Sequence, residues 1–266
     1  MRRMRDKFLS NVKLAVVKVG TSMFTSRSLP MDRHAVREIS GQVCELLDRG
    51  IKVVLVSSGA IGAGMHLLGL KARPKTLNHL QAAAAIGQAQ LMKAYDEYFK
   101  DHRRKVAQVL LTRDDFKENK RRSSVKSTLM TILEYGAVPI VNENDTVSVD
   151  EIKFGDNDTL AALVTNLLCA DLLIILSDVD GLYSHIGRKE LIDTVTEIDT
   201  GIERLASGTD KETCVGGMLT KVKAAKTVTD AGIPMVIANG KTRNILIKIT
   251  AKERVGTIFA PGARRS

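Results

Sequence analysis

Carboxylates and carboxamides crowd into two short stretches of this sequence, Asn142-Glu143-Asn144-Asp145-Thr146 and Gly155-Asp156-Asn157-Asp158-Thr159. The first follows Ala137-Val138-Pro139-Ile140-Val141, an apolar run expected to form a buried parallel strand, so the polar groups begin where that strand ends. The second opens an amphipathic run over 159–168, which puts Asp156 and Asp158 at a helix N-terminus among free backbone N–H groups. Taken singly, each stretch is accounted for by a turn and a helix cap. Taken together, three Asp, three Asn and a Glu exceed what two turns need and suit a polar, charged ligand. Two lysines extend the pattern. Lys18 lies one residue before the last apolar position of Leu14-Ala15-Val16-Val17-Lys18-Val19, where a buried charge must find a partner, and Asp158 is the candidate. Lys221 closes Gly216-Gly217-Met218-Leu219-Thr220-Lys221 at a helix start. With Gly20-Thr21, Ser58-Gly59-Ala60 and Ser177-Asp178, these pieces offer cations and backbone N–H donors at strand ends and helix starts. Phosphoryl transfer depends on those groups, because its main demand is positioning and charge stabilisation.

The elements that would hold these groups alternate. Expected strands are Leu14–Val19, Ile51–Val56, Val106–Leu111, Ala137–Val141, Leu172–Leu176 and Pro234–Ala238. Helical patterns separate them: one capped by Asp32 with Val36, Ile39, Val43, Leu46 and Leu47 on its apolar face, a long Ala-rich helix over 78–98, one over about 123–135, and one from Gly216 to Ala231. Ser57 to Gly64 is expected to be a small-residue loop that lets backbone approach a ligand. The pattern loosens over 186–210, expected to be loops over the sheet. The alternation predicts an α/β fold, an open αβα sandwich with a mostly parallel central sheet.

Composition narrows the function classes. Hydrophobic residues at 44% and charged residues at 26% fit a globular chain. The formal charge of +10 suits anionic small molecules, nucleic acid or an acidic membrane surface. Six Phe, four Tyr and no Trp leave too few aromatics for a single-strand nucleic-acid platform, so Lys120-Arg121-Arg122 is read as an exposed helix start. No run is long enough to span a membrane, and the basic residues of 1–7 precede no apolar segment of a secretory signal. Cys44, Cys169 and Cys214 form no C-x-x-C, and the five histidines have no metal spacing, which points to a reducing cytoplasm. Gly59 to Gly64 spells G-x-x-G-x-G and is no dinucleotide fingerprint, and G-x-x-x-x-G-K-[ST] does not occur.

Lys18-Val19-Gly20-Thr21-Ser22, Val56-Ser57-Ser58-Gly59-Ala60-Ile61, Asn142 to Asp145, Gly155 to Asp158, Ser177 to Tyr183 and Gly216 to Lys221, in this order, resemble the glutamate 5-kinases of the amino-acid kinase family. The resemblance spans nearly the whole chain. It implies ATP-dependent phosphorylation of the L-glutamate γ-carboxylate, the first step of proline biosynthesis, with Mg2+ accompanying ATP, a homo-oligomer (dimer or tetramer), and proline as feedback inhibitor. Lys18, Lys221 and Asp158 resemble the catalytic group. Ser58, Asp145 and Asn157 resemble glutamate-binding residues. Lys18, Gly20, Ser177, Asp178 and the segment Val215, Gly216, Gly217, Met218, Leu219, Thr220 and Lys221 resemble the nucleotide-binding residues. Ser177 stands where bacterial members have threonine, and the hydroxyl is kept. Metal ligands are not assigned, with Asp156 and Asp158 the nearest candidates. One kinase domain over 1–266 is expected, without the PUA domain that many members carry. The nearest rivals are kinases of the same fold acting on aspartate, acetylglutamate, a carbamate or uridylate, and a more distant one is a basic nucleic-acid-binding regulator. Leu80, Ile86 and Leu91 on the long helix suggest more apolar surface than one sheet can cover, in keeping with an oligomer.

Overall fold

A computed structural model of the chain describes residues 2–24, 32–147, 157–184, 190–207 and 217–262. The first half runs α1 (Arg2–Phe8), β1 (Leu14–Val19), α2 (Thr21–Phe24), α3 (Arg33–Asp48), β2 (Lys52–Ser57), α4 (Ala60–Leu67), α5 (Leu77–Asp101), β3 (Lys105–Leu111), α6 (Asn119–Glu134) and β4 (Ala137–Glu143). The second runs α7 (Asn157–Leu168), β5 (Leu172–Ser177), β6 (Thr194–Val195), α8 (Thr200–Ser207), α9 (Met218–Thr229), β7 (Met235–Asn239), α10 (Ile245–Thr250) and β8 (Thr257–Phe259). Eight strands form one sheet in the order β3-β4-β2-β1-β5-β7-β8-β6. Every neighbouring pair is parallel except β7 with β8.

The period of two along a strand sorts its residues between two cores. Ala15, Val17 and Val19 of β1 join Val53, Leu55, Ile174 and Leu176 against Val36, Ile39 and Val43 of α3, Leu91, Tyr95 and Phe99 of α5, and Ile245, Leu246 and Ile249 of α10. Val16 of β1 joins Val54, Val56, Leu173 and Ile175 against Leu129 of α6, Ala161 and Val164 of α7, and Val222, Ala225 and Val228 of α9. Strands apolar on both faces and helices apolar on one therefore give the expected αβα sandwich. Burying each large aliphatic side chain in these layers contributes about 1.5–3 kcal/mol. Lys18, two residues beyond Val16, is carried to the α7/α9 side.

The structure departs from the sequence reading in several places. Of the expected loop from Ser57 to Gly64, only Ser58 and Gly59 remain irregular, because α4 begins at Ala60. The turn is made by Gly59 at φ 107°, a conformation that suits glycine. Helix α4 then crosses α5 with the backbones in contact: a Cβ on Gly64 would lie 1.8 Å from the Ala83 carbonyl oxygen, and one on Gly87 would lie 1.8 Å from that of Ala60. Small residues here serve helix packing. Strand β4 continues to Glu143, because its pairing with β3 extends through Leu110↔Asn142 and Leu111↔Glu143. The stretch expected to be loops over 186–210 contains β6 and α8. Leu80 and Leu91 are buried inside the chain, so they supply no surplus apolar surface, whereas Ile86 is exposed. Helices α1 and α10 had no sequence reading. Helix α1 is tied down by Arg5, a buried residue whose guanidinium donates to the carbonyls of Val255 (2.9 Å), Gly256 (3.2 Å) and Glu253.

Candidate active site

The C-terminal ends of β2, β1 and β5 lie side by side at the middle of the sheet, where open α/β sheets bind ligands. Lys18 extends from the end of β1 to Asp158, with Nζ 2.7 Å from Oδ1. Lys221 of α9 reaches the same carboxylate from the other side, with Nζ 3.1 Å from Oδ2. Thr220 Oγ1 lies 2.8 Å from both Asp158 Oδ2 and the Gly217 carbonyl oxygen, one hydroxyl proton for two acceptors. Asp158 is fully buried, and Lys18 and Lys221 are 6% and 4% exposed.

Local structure explains why the three groups meet. Asp158 is in the first turn of α7, where the helix dipole and free N–H groups favour a carboxylate. Lys221 is in the first turn of α9, where the dipole opposes a cation, so its place there depends on Asp158. Burial pushes the Asp158 carboxyl up, but the Lys18 and Lys221 ammoniums, with hydrogen bonds from Lys18 and Thr220, outweigh it and hold the group down to about 2. Two cations around one carboxylate leave a net positive charge in a water-poor setting, an arrangement that attracts polyphosphate.

Beside this cluster a second set of polar groups forms a hydrogen-bonded ladder. The two amide hydrogens of Asn157 Nδ2 are shared among Ser58 Oγ (2.8 Å), Asn142 Oδ1 (3.0 Å) and the Ser57 carbonyl (3.2 Å). Asn142 Nδ2 donates to Gln88 Oε1 at 2.9 Å, and Asn142 Oδ1 also accepts from the Glu143 backbone N–H at 2.9 Å. Ser57 Oγ lies 3.0 Å from the Tyr95 hydroxyl. Asp145 follows β4 in a turn, half-buried. Burial pushes its carboxyl up to about 6, with Arg73 pulling the other way.

Gly20 and Ser177 end the neighbouring strands. The Gly20 N–H donates to the Leu176 carbonyl at 3.2 Å, and Ser177 Oγ donates to the exposed Asp178 at 3.2 Å. Gly217, Met218 and Leu219 form the entry to α9 ahead of Thr220 and Lys221. Val215, Gly216 and Asp156 lie outside the described residues. The structure thus unites Lys18, Asp158 and Lys221 as one cluster and Ser58 with Asn157 as another, with Gly20, Ser177 and the start of α9 bordering the first. The sequence reading did not pick out Gln88, Ser57 or Tyr95, nor Asn142 as an individual site residue. An amide on the same helical face as Ala84 and Leu91 was the available signal for Gln88.

No His, Cys, Asp and Glu cluster among the described residues could hold a metal ion. Asp158 fits that role poorly, since both of its oxygens already face ammonium groups.

The sequence profile described as Amino acid kinase family matches residues 13–239. The chain belongs to the amino acid kinase family. Among family members, the chain is 47% identical over 261 residues to the glutamate 5-kinase of Clostridium acetobutylicum, covering 97% of this chain and 98% of that one. It is 47% identical over 250 residues to the glutamate 5-kinase of Thermoanaerobacter sp. strain X514, covering 92% of this chain and 67% of that one. For the glutamate 5-kinase of Geobacter sulfurreducens the figures are 46% over 263 residues, 97% and 70%. The crystal structure of UMP kinase from Ureaplasma parvum superposes with a TM-score of 0.62 at 13% identity, covering 94% of this chain and 99% of that chain, which shows a shared fold.

Proposed function

We propose that this chain is a glutamate 5-kinase, transferring the γ-phosphoryl group of ATP to the γ-carboxylate of L-glutamate and so opening proline biosynthesis. The observation that carries the reading is the buried Lys18–Asp158–Lys221 cluster, set beside the Asn157–Ser58 pair at the ends of the central strands. Relatives of that name, matched over nearly the whole chain, agree with it.

A γ-carboxylate oxygen attacks the terminal phosphorus, the bond from that phosphorus to the bridging oxygen breaks, and the electron pair leaves on ADP. Lys18 and Lys221 face the phosphoryl oxygens and the leaving oxygen, where negative charge is redistributed, and Asp158 holds both ammoniums in place before substrate arrives. A side-chain carboxylate is already ionised at neutral pH, so no side chain has to remove a proton. Asn157 and Ser58 orient the amino acid, and Asp145 offers a carboxylate to its free ammonium. Gly20, Ser177, Asp178 and the start of α9, with Val215 and Gly216 before it, border the nucleotide. Mg2+ would enter on the ATP phosphates, the usual mode for a small, strongly hydrated cation.

We further propose a cytoplasmic homo-oligomer built on the exposed apolar residues Leu67, Leu68, Leu70 and Ile86, and proline as a feedback inhibitor. Among the described residues no helix is long and apolar enough to cross a membrane. The decisive experiment is incubation with MgATP, glutamate and hydroxylamine, which converts an acyl phosphate into a hydroxamate. Glutamate should give product and acetylglutamate little, because acetylation removes the charge that Asp145 would bind. Equal turnover of the two would overturn the substrate assignment.

A further inference from the structure

We infer that Gln88 is a positioning residue for the amino-acid substrate, acting through Asn142 to hold the Asn157 carboxamide in the one orientation that leaves its oxygen free for the ligand. The inference rests on the substrate reading above and adds to it a residue on α5, outside every segment that suggested a site.

The polarity of the amide ladder can be followed atom by atom. Gln88 Oε1 accepts from Asn142 Nδ2, which commits Asn142 Oδ1 to the opposite side. There Asn142 Oδ1 accepts from the Glu143 backbone N–H and from Asn157 Nδ2. Asn157 Nδ2 is also held by the Ser57 carbonyl and Ser58 Oγ, so its oxygen is the atom left over. That Asn157 Oδ1 is buried and has no hydrogen-bond partner among the described residues. Gln88 Nε2, at the other end of the ladder, is buried in the same condition. One spare acceptor and one spare donor in a single buried network form a costly arrangement for a purely structural device, since a buried polar group without a partner loses its hydration for nothing. A ligand carrying both an ammonium and a carboxylate, or a water bound with it, restores both.

The location of Gln88 supports a dedicated role. Its neighbours on the buried face of α5, Ala84, Leu91 and Tyr95, are almost fully shielded, and apolar side chains would fill its place without orphaned atoms. Tyr95, seven residues on and therefore on the same face, also meets the ladder, through Ser57. Helix α5 is clamped to α4 by the Gly64–Gly87 crossing, so residue 88 is fixed relative to the Ser58-Gly59 turn that opens α4. Removing the Gln88 acceptor leaves Asn142 Nδ2 unheld and frees Asn142 to rotate, and Asn157 then loses its single preferred orientation.

The test is steady-state kinetics of Gln88→Met and Gln88→Glu beside the unsubstituted chain, with thermal melting of each. Gln88→Met keeps the volume and removes the acceptor, and should raise the KM for glutamate about tenfold, the factor one lost hydrogen bond is worth, with kcat and the KM for ATP nearly unchanged. Gln88→Glu keeps an acceptor for Asn142 but turns the spare donor into a second acceptor, so it should recover only part of the loss. If Gln88→Met does not fold, Gln88→Asn withdraws the amide by one methylene and gives the same measurement. A variant that melts earlier yet keeps its KM for glutamate makes Gln88 a structural residue and overturns the inference. An unsubstituted chain that forms no glutamyl hydroxamate removes the substrate reading and this inference together.

Discussion

Replacing Asp158 by Asn keeps the shape of the buried cluster and removes the charge that reconciles two lysines, so its consequences can be worked out from the structure. In the folded chain the Asp158 carboxyl is held down to about 2, against an ordinary value of 3.8. That difference, at about 1.4 kcal/mol per unit, corresponds to roughly 2–3 kcal/mol of stability at neutral pH. A depressed carboxylate contributes fully above its unfolded value and loses its contribution as pH falls through the folded value, so this share of stability should disappear between about pH 4 and pH 2. In Asp158→Asn that acid-dependent limb should be missing. The Lys18 and Lys221 ammoniums would also lose the carboxylate they share, a defect worth about 3–5 kcal/mol when a buried pair is broken. ATP should then act as the missing anion. Saturating MgATP should raise the melting temperature of the variant by more than it raises that of the parent, because a polyphosphate supplies the folded variant with negative charge that Asp158 no longer provides. Urea titrations from pH 2 to 7 give the stabilities, and thermal melts with and without MgATP give the second comparison. A loss of stability between about pH 4 and pH 2 as large in Asp158→Asn as in the parent, or equal stabilisation of the two proteins by MgATP, would refute the claim that Asp158 is the ionised hub of the cluster.

Three further outcomes follow from the same geometry. Lys18→Ala and Lys221→Ala, checked for folding by circular dichroism, should each lower kcat by about 10²–10³ with smaller changes in the KM for glutamate, because the ammoniums stabilise charge that moves during transfer. Near-normal kcat with a raised KM for ATP in folded Lys18→Ala would make that lysine a ground-state anchor instead. Because the Asp145 carboxyl is pushed up to about 6 by burial, against the opposing pull of Arg73, its charge is lost as pH falls below that value. A pH profile of kcat/KM for glutamate should therefore fall below about pH 6, and Asp145→Asn should be slow throughout and flat there. Gly64→Ala should cost about 3 kcal/mol in urea unfolding, since its methyl would meet the Ala83 backbone, which has no side-chain slack to absorb it.

The central layer was legible in the sequence because its signals are local. Leu14–Val19 and Leu172–Ser177 are apolar on both faces, which marks buried parallel strands, and Asp32 caps its helix as its residue type suggests, accepting from the His34 and Ala35 N–H groups. The pairing of Lys18 with Asp158 followed from the cost of a lone buried charge. What escaped depends on groups far apart in the chain. Helix α4 looked like a loop because Ala and Gly show little hydrophobic contrast, and their value appears only against α5. Arg5 reads in the sequence only as one of the basic residues of 1–7, and nothing near it signals acceptor carbonyls some 250 residues away. Gln88 offers only an amide among alanines until Asn142 is set beside it. Leu80 and Leu91 read as surplus surface because a helical pattern shows which residues share a face, but not how deeply the neighbouring elements cover it.

The place of β1 between β2 and β5 has a consequence for how the chain is made. Strand β2 emerges from the ribosome soon after β1, but β5, which covers its other edge, comes more than a hundred residues later. At a synthesis rate of about 5–20 residues per second, Leu14–Val19 waits roughly 8–30 s with one row of backbone donors and acceptors open, flanked by apolar side chains. An open, apolar strand edge invites pairing with the same strand of another nascent chain. Lys18, a charge near the end of that edge and still without Asp158 to neutralise it, makes an in-register parallel pairing set two like cations against each other. The lysine proposed to handle phosphate in the finished protein would thus also guard the half-made one against its own copies.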